Sequence, residues 1–157
     1  MSAQLPLWQC VDLERVTLAQ CAVRSTVDPD HLPADPVLHL DVNASATHLA
    51  DTQRLVCLVR LLLRGEAQAE SSALFSVDVE YRVTYRLRPG CAPSAAQLEE
   101  FAGQNGVFNA WPYLREFVQS TYYRLELPLP PLPSFTVGAA AGGADAPAEP
   151  GPPAGEG

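Results

Sequence analysis

LFSVDVEYRVTYRLR, residues 74–88, alternates apolar and polar side chains without a break. Phe75, Val77, Val79, Tyr81, Val83, Tyr85 and Leu87 fall on one side; Ser76, Asp78, Glu80, Arg82, Thr84 and Arg86 fall on the other. A period of two is that of an extended strand with one face against a core. Asp78, Glu80 and Arg82 therefore read as the solvated face of a sheet and not as a catalytic cluster. Pro89-Gly90 ends the strand.

Working upstream, GEAQAESS (65–72) is a polar hairpin turn, and QRLVCLVRLLLR (53–64) is apolar on both faces, as a central strand requires. A turn at Ala50-Asp51 joins it to VLHLDVNASATHL (37–49). There Leu38, Leu40, Val42, Ala44 and Ala46 share one face, and His39, Asp41, Asn43, Ser45 and Thr47 share the other. The proline- and aspartate-rich stretch 26–36 is a loop. VDLERVTLAQCAVRS (11–25) is a further strand. Its apolar alternation changes phase between Leu13 and Val16, which calls for a bulge or a twist.

Downstream the period changes. SAAQLEEFAG (94–103) predicts a short helix capped by Ser94, with Gln97 three residues on, and closed by Gly103. After a link at 105–108, a long helix runs from about Asn109 to Leu125. With Asn109 as N-cap, Pro112 falls in the first turn, where its missing amide has no intrahelical acceptor. Trp111, Leu114, Val118, Tyr122 and Leu125 follow helical spacing, and Phe108, Phe117 and Tyr123 widen the stripe. So broad an apolar surface predicts burial on more than one side. LPLPPLPSF (127–135) reads as an extended, polyproline-like segment lying on a surface. The chain is thus an α+β protein: a loose N-terminal arm (1–10), a domain (11–137) of four antiparallel strands followed by a short and a long helix, and a disordered Gly/Ala/Pro tail (138–157).

Composition narrows the function. The formal charge is −8 and all ten basic residues are Arg, without a basic block, which argues against nucleic acid as a partner. No secretory leader is read at the N-terminus, and the longest apolar run, Leu55–Leu63, is too short to span a membrane. Cys10, Cys21, Cys57 and Cys91 are widely spaced and read as reduced thiols of a cytoplasmic protein; a pair would require the fold to bring two together. His31, His39 and His48 lie in no metal-ligand spacing, and no phosphate loop or nucleophile motif occurs. Cys57 sits in an apolar strand, which suits an inert thiol. The reading is of a protein that is not an enzyme and uses no cofactor and no metal. What remains is apolar surface that a thin sheet-and-helix domain cannot cover by itself.

At this point the chain resembles the SecB family of protein-export chaperones over residues 12–136. LERVTLAQCAV resembles the first strand of that family, PVLHLDVNASATHLADTQRLVCLVRLLLR the second and third, and ALFSVDVEYRVTY the fourth. FNAWPYLREFV followed by LPLPPLPSF resembles the aromatic-Pro-Tyr-x-Arg-Glu helix start and the proline-containing segment after it, the most specific part. The resemblance implies an ATP-independent cytoplasmic holdase, a homo-oligomer such as a dimer of dimers, that binds unfolded or precursor polypeptides in apolar grooves. It implies client contacts at Leu38, Leu40, Val42, Trp111 and Phe135, and an oligomer interface at Leu114, Val118 and Tyr122. From the residues alone, Leu38, Leu40 and Val42 could equally be the core of the protomer.

Two departures stand out. The tail replaces the lid helix of the family after Phe135. Gln20 and Arg24 hold first-strand positions where the family carries acidic residues that dock the motor SecA, which argues against SecA as a partner. The alternatives are a dedicated chaperone of one partner, such as an antitoxin, and a scaffolding oligomer without a client groove.

Overall fold

The structure, a computed structural model, describes residues 5–31, 36–67 and 70–135. Four strands form one antiparallel sheet in the order β1-β4-β3-β2: β1 Val11–Ser25, β2 Val37–Leu49, β3 Arg54–Ala67 and β4 Glu70–Leu87. The α+β class and the strand assignments agree with the alternation in the sequence. Gly65 to Ala67, expected in the turn, stay in the strand; the ladder is irregular after Gly65, over which the Phe75 ring lies.

One face of the sheet is the core. Leu55, Cys57, Val59, Leu61 and Leu63 of β3 interleave with Phe75, Val77, Val79, Tyr81, Val83, Tyr85 and Leu87 of β4, all buried. The phase change in β1 is a register shift between Leu13 and Arg15, and a second shift lies between Leu18 and Gln20. Each inserts one residue, so Val11 and Leu13, then Val16 and Leu18, then Cys21 and Val23 all stay opposite core residues of β4.

Helix α1 (Ala95–Phe101) starts on the expected capping box: Ser94 Oγ accepts from the Gln97 N–H at 3.3 Å, and Gln97 Oε1 accepts from the Ser94 N–H at 3.0 Å. It does not stop at Gly103. A π-helical segment, Ala102–Gly106, carries it without a break into α2 (Val107–Arg124), and no residue in that span has a positive φ. Gly106 is there for proximity: a Cβ on it would meet Cys57 Cβ at 3.2 Å and Sγ at 3.3 Å. Gly106 thus marks close approach to β3, while Gly103 lies in open space and does not end the helix. Pro112 is consequently inside the helix, on its exposed face, where the Phe108 carbonyl it leaves without a donor can turn to water.

Asn109 is not an N-cap either. Its Nδ2 donates to the Tyr85 hydroxyl at 2.9 Å, and that hydroxyl donates to the Asn105 carbonyl at 3.2 Å, beside the π segment. The Tyr85 ring packs edge-on against Phe101 at 5.0 Å. Tyr85→Phe would leave both polar groups without this partner in a buried setting. The expected cost is about 1–3 kcal/mol, read from urea unfolding.

Leu114, Val118 and Tyr122, expected at an oligomer interface, are instead 0–1% exposed and pack into the core of the protomer. In the single chain the helix stripe faces its own sheet. The outward face carries Phe108, Tyr113 and Tyr123. The arm also departs from expectation, since Leu7 and Cys10 are buried. The tail expected from 138 onward lies outside the described residues.

Candidate functional site

Helix α2 lies mainly over β4, while α1 and the π segment lie toward β2. The inner faces of both edge strands are therefore left partly open. On β1, Leu13 is 51% exposed, Leu18 48% and Val23 39%. On β2, Leu38 and Leu40 are exposed, whereas Val42 is half-buried against the core. Leu38 and Leu40 are thus not core residues of the single chain.

The β1 side forms a groove of about 450 Å³, lined by Leu13, Phe108, Trp111, Tyr113 and Phe135 among others. Ser134 and Phe135 also line it; they end the segment 127–135, which carries no helix or strand and buries Leu127 and Leu132. The Trp111 indole N–H donates to the Pro133 carbonyl at 2.9 Å, and its ring lies 5.5 Å from that of Phe135. Tyr81 and Tyr113, 5.8 Å apart, link the groove to Leu18, which pairs with Tyr81. The strip from Leu13 to Val23 is roughly 30 Å long.

The five expected contact residues therefore divide. Trp111 and Phe135 come together; Leu38, Leu40 and Val42 lie on the opposite edge strand, roughly 14 Å away across the sheet. Trp111 is buried and acts as a wall more than a contact surface. Leu13, Phe108 and Tyr113 form the exposed lips and went unassigned in the sequence. The repeated phase change along β1 was the signal for Leu13, because it keeps that residue on the inner face.

The outer face is mostly polar, with Val56, Leu58 and Leu62 of β3 half-buried among polar neighbours. His39, Asp78, Glu80 and Arg82 lie on it, with Arg60 gripping Asp78 through Nε at 2.8 Å. Arg54 and Arg86 stand directly opposite each other on β3 and β4, an unfavourable like-charge pair. Glu14, the residue inserted at the first bulge, accepts from both, at 2.9 Å from Arg54 and 3.0 Å from Arg86. Hydrogen bonds from Arg88, Arg86 and Arg60 hold Asp12, Glu14 and Asp78 respectively below the ordinary carboxylate range. Their contribution to stability is present above the unfolded-state pKa and is lost as the pH falls through the lower folded values. The urea midpoint should accordingly fall below about pH 4. The effect should be small and shrink in added salt, because these pairs are solvent-screened.

Burial pushes the Cys57 thiol up to about 12. No group of three or more His, Cys, Asp or Glu side chains could hold a metal ion among the described residues. No helix among them is long and apolar enough to cross a membrane.

No protein-family model and no curated protein matches the chain. Among solved structures, the SecB-like chaperone Rv1957 of Mycobacterium tuberculosis, in complex with a ChAD peptide from the antitoxin HigA1, aligns over 83% of this chain and 94% of its own, with a TM-score of 0.70 and 22% identity. The chain has a SecB-like fold. A protein of unknown function from Streptococcus agalactiae aligns more loosely, with a TM-score of 0.47 and 10% identity over 79% of this chain and 97% of its own. Within the SecB-like fold, the sheet order, the helix across its inner face and the returning proline-rich segment are what position the groove.

Proposed function

We propose that the chain is an ATP-independent polypeptide-binding chaperone of the cytoplasm, a holdase that keeps an apolar segment of a client extended along its inner face. The observation that carries this reading is the pair of apolar strips left exposed on either side of the helix, Leu13 to Val23 and Leu38 to Leu40. Binding there requires no bond chemistry. Apolar side chains leave water at about 25 cal/mol per Å², and the client needs no particular sequence. Self-association covers part of these strips and the client covers the rest.

A narrower reading, a dedicated chaperone of one partner, is favoured by the solved neighbour, whose partner is an antitoxin peptide. Docking to SecA is disfavoured. Gln20 and Arg24 lie on the outer face of β1, and Arg15 and Arg82 nearby have no acidic partner among the described residues.

Aggregation of a reduced, unfolded model protein, run beside light scattering, tests the proposal. Suppression at a near-stoichiometric ratio by an oligomer is the result expected of a general holdase. A stable oligomer that suppresses nothing but binds one partner would establish the dedicated reading, and one that binds neither would leave a scaffold. Leu40→Asp should weaken client binding at least tenfold, which is about 1.4 kcal/mol, with oligomer mass and melting temperature unchanged. If Leu40→Asp unfolds the protein instead, the strip on β2 is structural. Leu13→Asp asks the same of β1.

A further inference from the structure

Two of the four cysteines meet. Cys10 closes the turn at Leu7–Gln9, and its carbonyl accepts the Arg88 N–H at 2.8 Å. The chain then folds back: the Cys91 N–H donates to the Arg88 carbonyl at 3.2 Å, and Gly90, at φ +85°, takes the left-handed backbone that this turn requires. Cys10 and Cys91 consequently line one cavity of about 250 Å³, together with Leu5, Leu7, Pro93 and Gln97. Cys91 beside it, and then burial, hold the Cys10 thiol above its ordinary range. Arg88 stands near both sulfurs and is anchored by Asp12 at 2.9 Å. Cys91 is half-buried and reachable from solvent, while Cys10 is buried behind it.

We propose that Cys10 and Cys91 form a redox-modification site that closes to a reversible disulfide under a peroxide oxidant. The Cys91 thiolate attacks the peroxide O–O bond, which breaks; an S–O bond forms, and the departing hydroxide takes a proton to become water. The Cys10 sulfur then displaces the sulfenic hydroxyl. The S–S bond forms, the S–O bond breaks, and a second water leaves with the proton of Cys10. Two thiols lose two electrons and the peroxide gains them; an external dithiol reverses the step. Cys21 on β1 and the fully buried Cys57 stand outside this cavity. The bond ties the N-terminal turn to the β4–α1 connection, closing a loop of about 80 residues.

The test uses the full-length reduced protein with equimolar hydrogen peroxide, alkylation of remaining thiols, and peptide mass mapping. The expected product is a cross-linked pair of peptides carrying Cys10 and Cys91, lighter by two hydrogens and restored by dithiothreitol. Cys21 is alkylated in the native state, and Cys57 only after unfolding. The oxidised protein should melt higher by roughly 10 °C. Cys91→Ser, at a half-exposed turn position, should fold normally and leave Cys10 alkylatable after denaturation. Oxidation of Cys91 to sulfinic acid with Cys10 still reduced would overturn the proposal, as would cross-links between molecules through Cys21 in its place.

Discussion

Trp111→Ala should destabilise the protomer by about 3–5 kcal/mol, the usual cost of deleting a buried indole. It should also remove the back wall of the groove. The indole supplies both contacts that hold the end of the extended segment, the hydrogen bond to the Pro133 carbonyl and the ring contact with Phe135. Without them, residues near Phe135 lose their anchor while Leu127 and Leu132 remain buried. Limited chymotrypsin digestion should then cut after Phe135 faster in the variant than in the parent. Trp111→Phe separates the two contacts. It keeps an aromatic ring and loses the N–H donor, so it should retain most client binding and lose about 1 kcal/mol. If Trp111→Ala leaves proteolysis and client binding unchanged, the segment is held by its leucines alone and the groove wall is misplaced.

Leu114→Ala should cost about 2–5 kcal/mol in urea unfolding, from lost transfer energy and a residual cavity. The informative feature is its concentration dependence. A residue at an interface between copies shifts the dissociation constant, so its effect varies with protein concentration. Leu114 is wholly buried beneath its own sheet, so the loss should be the same at every concentration and oligomer mass should not change. A shift in oligomer mass without loss of protomer stability would return Leu114 to an interface. Tyr123, 86% exposed on the opposite side of the same helix, is the control: Tyr123→Ala should leave the protomer within about 0.5 kcal/mol of the parent.

The strands were legible because each buries one face, and a period of two leaves a plain record in Phe75 to Leu87. The first bulge was legible for the same reason. The helices were harder. Gly103 and Asn105-Gly106 carry the composition of a helix stop and a turn, yet they lie in a π-helical passage in which Gly106 comes close to Cys57. Local propensity says nothing about a neighbour that arrives from another strand. The interface residues were legible only in part: helical spacing reports that Leu114, Val118 and Tyr122 are buried, and does not report by which surface. The groove was half legible. Trp111 and Phe135 meet through a segment that reverses direction, and Leu13 joins them only because β1 lies beside β4 in the sheet order. Which edge strand faces which end of a helix is a topological fact, and no local pattern encodes it.

The two insertions in β1 also bear on how copies of this chain could stack. β1 is an outermost strand of fifteen residues with its outward backbone groups free of any partner strand in the sheet. A flat strand of that length would be a template for unlimited lateral growth. Here the regular ladder is cut after Leu13 and again after Leu18. On this edge an added strand can keep register only over short stretches such as Arg15–Leu18 or Gln20–Ser25, whereas the other edge strand, β2, runs in unbroken register.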